Sequence, residues 1–93
     1  MLVDKALKLG DLVGRIYDFP VKGDTLDLHT HGKDDVHITI IARGRFRVFG
    51  PNFDQEVETG TVMDWDPGVY HAFESLDDNG RIVNIVKNYV KSS

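Results

Sequence analysis

Short β-prone segments, each bounded by turn residues, recur about every ten residues along this chain. Valine, isoleucine, threonine and aromatic residues fill the segments, whereas glycine, proline, aspartate and asparagine fill the gaps between them. Only residues 3–9 hint at a helix. The clearest predicted strands span residues 14–21, 25–31, 36–42, 45–50, 69–75 and 81–90. About seven or eight strands at this spacing predict an all-β barrel or sandwich.

Length and composition restrict the chain to one small domain. With 93 residues, of which 41% are hydrophobic, residues 1–93 form a single domain with a modest core. The absence of cysteine excludes disulfides and thiolate metal sites. With neither a signal peptide nor a long apolar run, we expect a cytoplasmic protein that does not engage a membrane. A formal net charge of −4 argues against nucleic acid as a partner.

The histidines of the chain are confined to two short stretches. Three of the four lie within DLHTHGKDDVH, and the fourth, His71, follows a predicted turn at residues 66–68. His29 and His31 stand two positions apart in a predicted strand, so strict alternation places both on one face together with Asp27.

His37 is predicted to share a face with apolar side chains. A tight turn at residues 43–44 pairs the segments 36–42 and 45–50 as a hairpin in this interpretation. In that register one face carries His37, Thr39, Ile41, Phe46 and Val48. A lone histidine among apolar side chains is costly, and a metal or ligand there would satisfy it.

Two ordered motifs resemble those of the cupin superfamily. The first, at about residues 23–44, contains Gly23, His29, His31, His37 and Gly44. The second, at about residues 60–73, contains Gly60, Pro67, Gly68 and His71. Fifteen residues separate the two motifs, which suits the compact, prokaryotic-type cupins. The resemblance implies a cupin-type double-stranded β-helix, a jelly-roll β-barrel with a metal at its centre.

The ligand set implied by the resemblance departs from the family pattern at one position. Cupins usually use the two histidines of HxH, a glutamate and the histidine of the second motif. Counted back from Gly44, the place of the glutamate holds His37, and Asp35 is the rival candidate. We favour His37, because it lies in the predicted strand whereas Asp35 falls in a polar loop. The implied metal site consists of His29, His31, His37 and His71.

Four imidazole ligands favour a divalent transition metal. Fe, Mn, Ni, Cu, Co and Zn all suit neutral nitrogen donors, whereas Ca and Mg prefer oxygen. Four neutral ligands leave the full charge of the cation in place, which favours an anionic or oxygenated ligand. An octahedral ion keeps two positions open for such a ligand, whereas a closed tetrahedral zinc site keeps none.

Several other residues each allow a functional and a purely structural interpretation. Asp27 is a candidate for orienting a ligand histidine from behind or acting as a base, and otherwise a carboxylate at the barrel rim. Trp65 either lines a substrate pocket or packs in the core. The arginines at positions 43, 45 and 47 either bind an anion or solvate an exposed hairpin. The outward residues Ile38, Ile40 and Phe49 need cover, which predicts a homodimer.

Three functions fit this sequence. The first is a metal-dependent enzyme that acts on a small oxygenated or anionic molecule, with dioxygenase-like oxidation or cleavage favoured over isomerase or lyase chemistry. The second is a non-catalytic module that binds a metabolite or regulates a larger assembly. The third is a metal that only stabilises a small barrel. Fold alone does not decide among them.

Overall fold

The computed structural model describes residues 2–10, 12–29, 35–66 and 68–88, and this part of the chain is built from β-strands. Nine strands lie in it: β1 (Val3–Leu9), β2 (Leu12–Phe19), β3 (Thr25–His29), β4 (Asp35–Arg43), β5 (Arg45–Gly50), β6 (Phe53–Glu58), β7 (Val62–Trp65), β8 (His71–Ser75) and β9 (Gly80–Asn88). The strand predicted at 45–50 is confirmed. None of the described segments is a helix long and apolar enough to cross a membrane.

The strands form two antiparallel sheets that enclose one core. The five-stranded sheet has the order β1-β2-β9-β4-β7, and the four-stranded sheet has the order β3-β8-β5-β6. Phe19 on β2 meets Phe46 on β5 edge-on across the interior, with ring centroids 4.9 Å apart. The buried apolar cluster between the sheets comprises Phe19, Ile41, Phe46, Val48, Val57, Phe73 and Ile82. The prediction of an all-β jelly roll is confirmed.

The hairpin predicted around Arg43 and Gly44 is wrong. β4 pairs with β7 and β9, and β5 pairs with β6 and β8, so the chain passes from one sheet to the other at Gly44. Gly44 has a φ of +94°, but Arg43 is not among the residues with positive φ, so neither two-residue hairpin turn type can form. Both edges of β4 are already hydrogen-bonded, which leaves β5 no edge on which to pair.

The predicted inner face nevertheless survives this change of partner. The five residues assigned to it, His37, Thr39, Ile41, Phe46 and Val48, are all buried between the sheets. Alternation along a strand has a period of two whichever neighbour the strand pairs with. The chain therefore moves from one sheet to the other between β4 and β5, and the predicted inner residues of both strands still face the core.

The helix hinted at residues 3–9 is also wrong, because these residues form β1. They pair with β2 from Val3 opposite Asp18 to Leu9 opposite Leu12. Leucine, lysine and alanine favour helices locally, but hydrogen bonds to an adjacent strand outweigh so weak a preference. Gly10, with a φ of +59°, follows directly and allows the chain to turn.

The outer face of the five-stranded sheet carries a row of aliphatic side chains in register. This outer row runs across β7, β4, β9 and β2 and consists of Val62, Ile40, Val83 and Ile16. Ile38 lies next to it, opposite Ile85. Phe49, predicted to share this surface, lies instead on the other sheet, where the guanidinium carbon of Arg47 is 4.2 Å from its ring centroid.

Candidate metal centre

His37 and His71 meet in the interior from opposite sheets. His37 lies on β4, which is flanked by β7 and β9, and His71 begins β8, which lies between β3 and β5. Their exposed fractions are 1% and 0%, and their ring centroids are 5.1 Å apart. Strands that are hydrogen-bonded on both sides hold their backbone positions firmly, so the two imidazoles form a preorganised pair of nitrogen donors.

One carbonyl fixes the tautomer of His71. Its Nδ1 lies 3.0 Å from the backbone oxygen of Val69. A carbonyl oxygen can only accept, so Nδ1 carries the proton and, in the neutral ring, the lone pair resides on Nε2. The turn before β8 sets this contact, since Val69 N donates to Asp66 O and Gly68 has a φ of +84°. Histidines that ligate metals typically donate their second N–H to a carbonyl or carboxylate in this way.

Trp65 holds the His71 ring from one side. The indole and the imidazole are stacked, with centroids 4.0 Å apart and planes 5° from parallel. Trp65 Nε1 donates to Thr39 Oγ1 at 2.9 Å, and that hydroxyl donates to Asn84 Oδ1 at 2.7 Å. Thr39 and Asn84 are both buried. This chain of hydrogen bonds fixes the indole and, through it, restricts the imidazole.

Sequence reasoning missed this polar chain, although a signal for it exists. Thr39 lies between His37 and Ile41 on the inner face of β4, and Asn84 follows the buried Ile82 by two positions on β9. A polar residue at an inward position of an apolar strand needs a hydrogen-bond partner inside. Reading the two positions together would have predicted a buried network, and Trp65 proves to be packed against the core.

The pairing of β3 with β8 shifts its register partway along the strand. Leu26 pairs with Phe73, but the register then shifts, and the Cα of His29 pairs with that of His71. The regular pairing of β3 with β8 is therefore interrupted between Leu26 and His29. The backbone register places His29 beside His71, whereas the side chain of His29 and the whole of His31 lie outside the described residues.

Asp35 lies differently from expectation, whereas Asp27 agrees with its interpretation as a carboxylate at the barrel rim. Asp35 was expected in a loop, but it is the first residue of β4 and pairs with Asn88. It stands two positions before His37, so the backbone places both residues on the same face; its side chain is outside the described part. Asp27 is exposed and lines a surface depression of about 360 Å³ together with Phe49 and Ala72.

The arginines at the end of β4 and in β5 are paired with carboxylates. The pairs are Arg43 with Asp18, Arg45 with Asp77 and Arg47 with Asp54. Hydrogen bonds from the arginines lower the pKa of Asp77 and that of Asp54. Because the positive charges are compensated on the outer surface, the interpretation of these arginines as an anion site loses its basis.

The described residues supply only part of the implied ligand set. Among them no group of three or more histidine, aspartate or glutamate side chains lies close enough together to hold a metal ion. The pair His37 and His71 is brought together, and the backbone of His29 joins it. The donor chemistry of this pair, two buried imidazoles of which one has Nδ1 held by a carbonyl, fits a divalent transition metal.

Comparison with solved structures identifies the fold. KdgF from Halomonas has a TM-score of 0.80 and 15% identity, covering 97% of this chain and 81% of its own. An RmlC-like cupin from Desulfovibrio desulfuricans has a TM-score of 0.81 and 14% identity, covering 92% and 81%. A conserved protein with a double-stranded β-helix domain from Klebsiella pneumoniae has a TM-score of 0.81 and 15% identity, covering 98% and 80%. No protein-family model and no curated protein matches the sequence. The chain therefore has the double-stranded β-helix fold of the cupins.

Proposed function

We propose that this barrel is a metal-dependent enzyme that binds one divalent transition metal through His29, His31, His37 and His71 and acts on a small oxygenated molecule. The observation that carries the proposal is the buried pair of His37 and His71, 5.1 Å apart, with Nδ1 of His71 held by a carbonyl. His29 is included because its backbone is in register with His71. His31 is included because it stands two positions from His29 in the HxH pattern.

Asp35 remains the alternative to His37 as a ligand from β4. Both positions belong to the same face of the strand, and a carboxylate would lower the net charge of the centre by one. The burial of His37 and its proximity to His71 favour the histidine. An Asp35→Asn variant that keeps its metal and a His37→Asn variant that loses it would support this choice.

The residues around the pair define what the protein contributes to the chemistry. A bound transition metal would supply Lewis-acid or redox chemistry to an oxygen atom of the substrate. Trp65 and Phe73 flank His71, with ring centroids 4.0 and 5.9 Å away, so the imidazole is shielded from water. Excluding water strengthens electrostatic interactions with a bound oxygen atom, and the fixed indole limits rotation of the ligand ring.

Metal content and oxygen uptake test this proposal together. The wild-type protein is expected to hold one equivalent of metal, and its Fe, Mn or Cu form to consume oxygen with a diketone, enol, phenol or hydroxy acid. His71→Gln should lose both the bound metal and the oxygen consumption. His37→Asn, which removes the other histidine of the pair, should lose both as well. Tyr70→Phe, a change at the exposed neighbour of His71, should retain both.

The other outcomes separate the remaining functions. Metal with ligand binding but no consumption of the ligand would favour a non-catalytic binding module. Metal that exchanges no water and binds no ligand would favour a purely structural site. A folded wild-type protein that takes up no transition metal would overturn the proposal.

A further inference from the structure

An open seam between the two sheets contains a cavity, and one of its lining residues, Trp65, also contacts His71. β6 ends the four-stranded sheet and β7 ends the five-stranded sheet, and a cavity of about 350 Å³ lies between them. Its lining on the inner faces of the strands comprises Val48, Phe53, Gln55, Val57, Met63 and Trp65. A cavity of about 150 Å³ holds a benzene ring in a well-studied protein, so this one accommodates a substituted ring.

Trp65 connects this cavity to the candidate metal centre. The indole lines the cavity and is also stacked on His71 at 4.0 Å. Phe53 lies 5.8 Å from the same indole, between ring centroids, and forms a second aromatic wall. A molecule seated between Phe53 and Met63 would therefore contact the residue that holds the ligand histidine.

The chemistry of the lining selects an uncharged ligand. No lysine or arginine is among the described residues that line the cavity, and the one carboxylate, Asp64, pairs with the outward Ile38. A carboxylate or phosphate seated here would meet the carboxylate of Asp64 and no cationic partner among these residues, which is unfavourable. Gln55, opposite the buried Val48, is the polar side chain on the inner face of β6. Its amide can donate and accept, which suits one hydroxyl or carbonyl group.

We infer that this cavity is the site for the carbon skeleton of the substrate, and that the substrate is a neutral molecule with a flat apolar body and a hydroxyl or carbonyl group, such as a phenol. As a substrate site it rests on the proposed metal-dependent function. The inference narrows that function, because an acid of similar size would lack a cationic partner among the described lining residues.

Binding of phenol and of benzoate to metal-free protein tests this inference. The chain has one tryptophan, so changes in its emission report on Trp65 alone. We expect phenol to bind at least tenfold more tightly than benzoate and to change this emission. Gln55→Leu should weaken phenol binding about fivefold and leave toluene binding unchanged, since only phenol uses the amide. Glu58→Gln, an exposed change elsewhere on β6, should alter neither.

Each result bears on the inference separately from the metal proposal. Equal or tighter binding of benzoate would overturn it, as would phenol binding that leaves Trp65 emission or the Gln55→Leu variant unaffected. Because these titrations need no metal, such a failure would leave the metal content of the protein as an independent result. Phenol binding to a protein that takes up no metal would overturn the proposed function and retain the cavity as a ligand site.

Discussion

The indole of Trp65 lies flat against the imidazole of His71, with 4.0 Å between ring centroids and 5° between ring planes. The two residues come from different sheets, since Trp65 ends β7 and His71 begins β8. The contact therefore links the sheets at the candidate metal centre. It also places the one tryptophan of the chain where a bound metal would perturb it.

Emission from Trp65 should report metal binding directly. Addition of Cu(II) or Co(II) to metal-free protein should quench the emission and reach its endpoint at one equivalent, because a paramagnetic ion on His71 would lie within contact range of the indole. Zn(II), which is diamagnetic, should compete with the quencher while quenching little by itself. Quenching that survives unchanged in His71→Gln would contradict the assignment of His71 as a ligand.

The hydroxyl of Thr39 should be important to stability. Thr39→Val keeps the shape of the side chain but removes the group that links Trp65 Nε1 to Asn84 Oδ1. Leaving buried polar atoms without this partner should lower the free energy of unfolding by about 2 kcal/mol, measured by urea denaturation. Thr39→Ser, which retains the hydroxyl, should recover most of the loss. Equal stability of the valine variant and the wild type would show that the network does not hold the indole.

Asp18 should make stability depend on pH in strongly acidic solution. Hydrogen bonding from Arg81, at 2.6 Å, lowers the pKa of Asp18 from its ordinary 3.8, and Lys5 lies 3.5 Å away. A carboxylate whose pKa is lower in the native state than in the unfolded state stabilises the fold at pH values above its unfolded pKa. This stabilisation is lost as the pH falls through the native pKa. Asp18→Asn should therefore cost about 1 kcal/mol at pH 7, and the difference from wild type should shrink as the pH falls below 3.8.

Thermal unfolding of metal-free protein at several pH values measures this difference. Asp4→Asn is the matched control, because the pair of Asp4 with Arg15 is about half exposed on both sides and such pairs contribute little. A gap between Asp18→Asn and wild type that persists unchanged at pH 3 would show that the carboxylate does not act through its charge.

The outer row of the five-stranded sheet leads us to propose a homodimer. Val62 in that row is 63% exposed, and the four aliphatic side chains in register form an apolar face that a second copy can match by two-fold symmetry. Sedimentation at micromolar concentration should give a dimer for the wild type and a monomer for Ile40→Lys. Thr25→Lys, an exposed change on the other sheet, should remain dimeric. A monomeric wild type would remove this proposal.

Alternation carried the sequence-based prediction furthest. It assigned His37 to the interior correctly, because the face on which a residue lies depends only on the strand's own period. Alternation did not predict which strands pair. β4 pairs with β7 and β9, which are distant in sequence, rather than with the adjacent β5. Pairing between distant segments depends on contacts across the whole fold, which local patterns do not encode.

The remaining differences have local causes that the sequence conceals. The shift in register between Leu26 and His29 changes which residue of β3 pairs with His71, and no residue type in TLDLH marks it. β1 was obscured because its alanine, leucine and lysine residues also suit a helix. The stacking of Trp65 on His71 joins residues from two sheets, so it emerges only when the sheets are packed together.

Anomalous diffraction from crystals grown with one equivalent of a transition metal tests the central claim most directly. We expect one peak at the absorption edge of that metal, about 2.0–2.2 Å from ring nitrogens of His37 and His71, with His29 and His31 completing the site. A peak only elsewhere, or none between these two rings at full metal loading, would contradict the proposed centre.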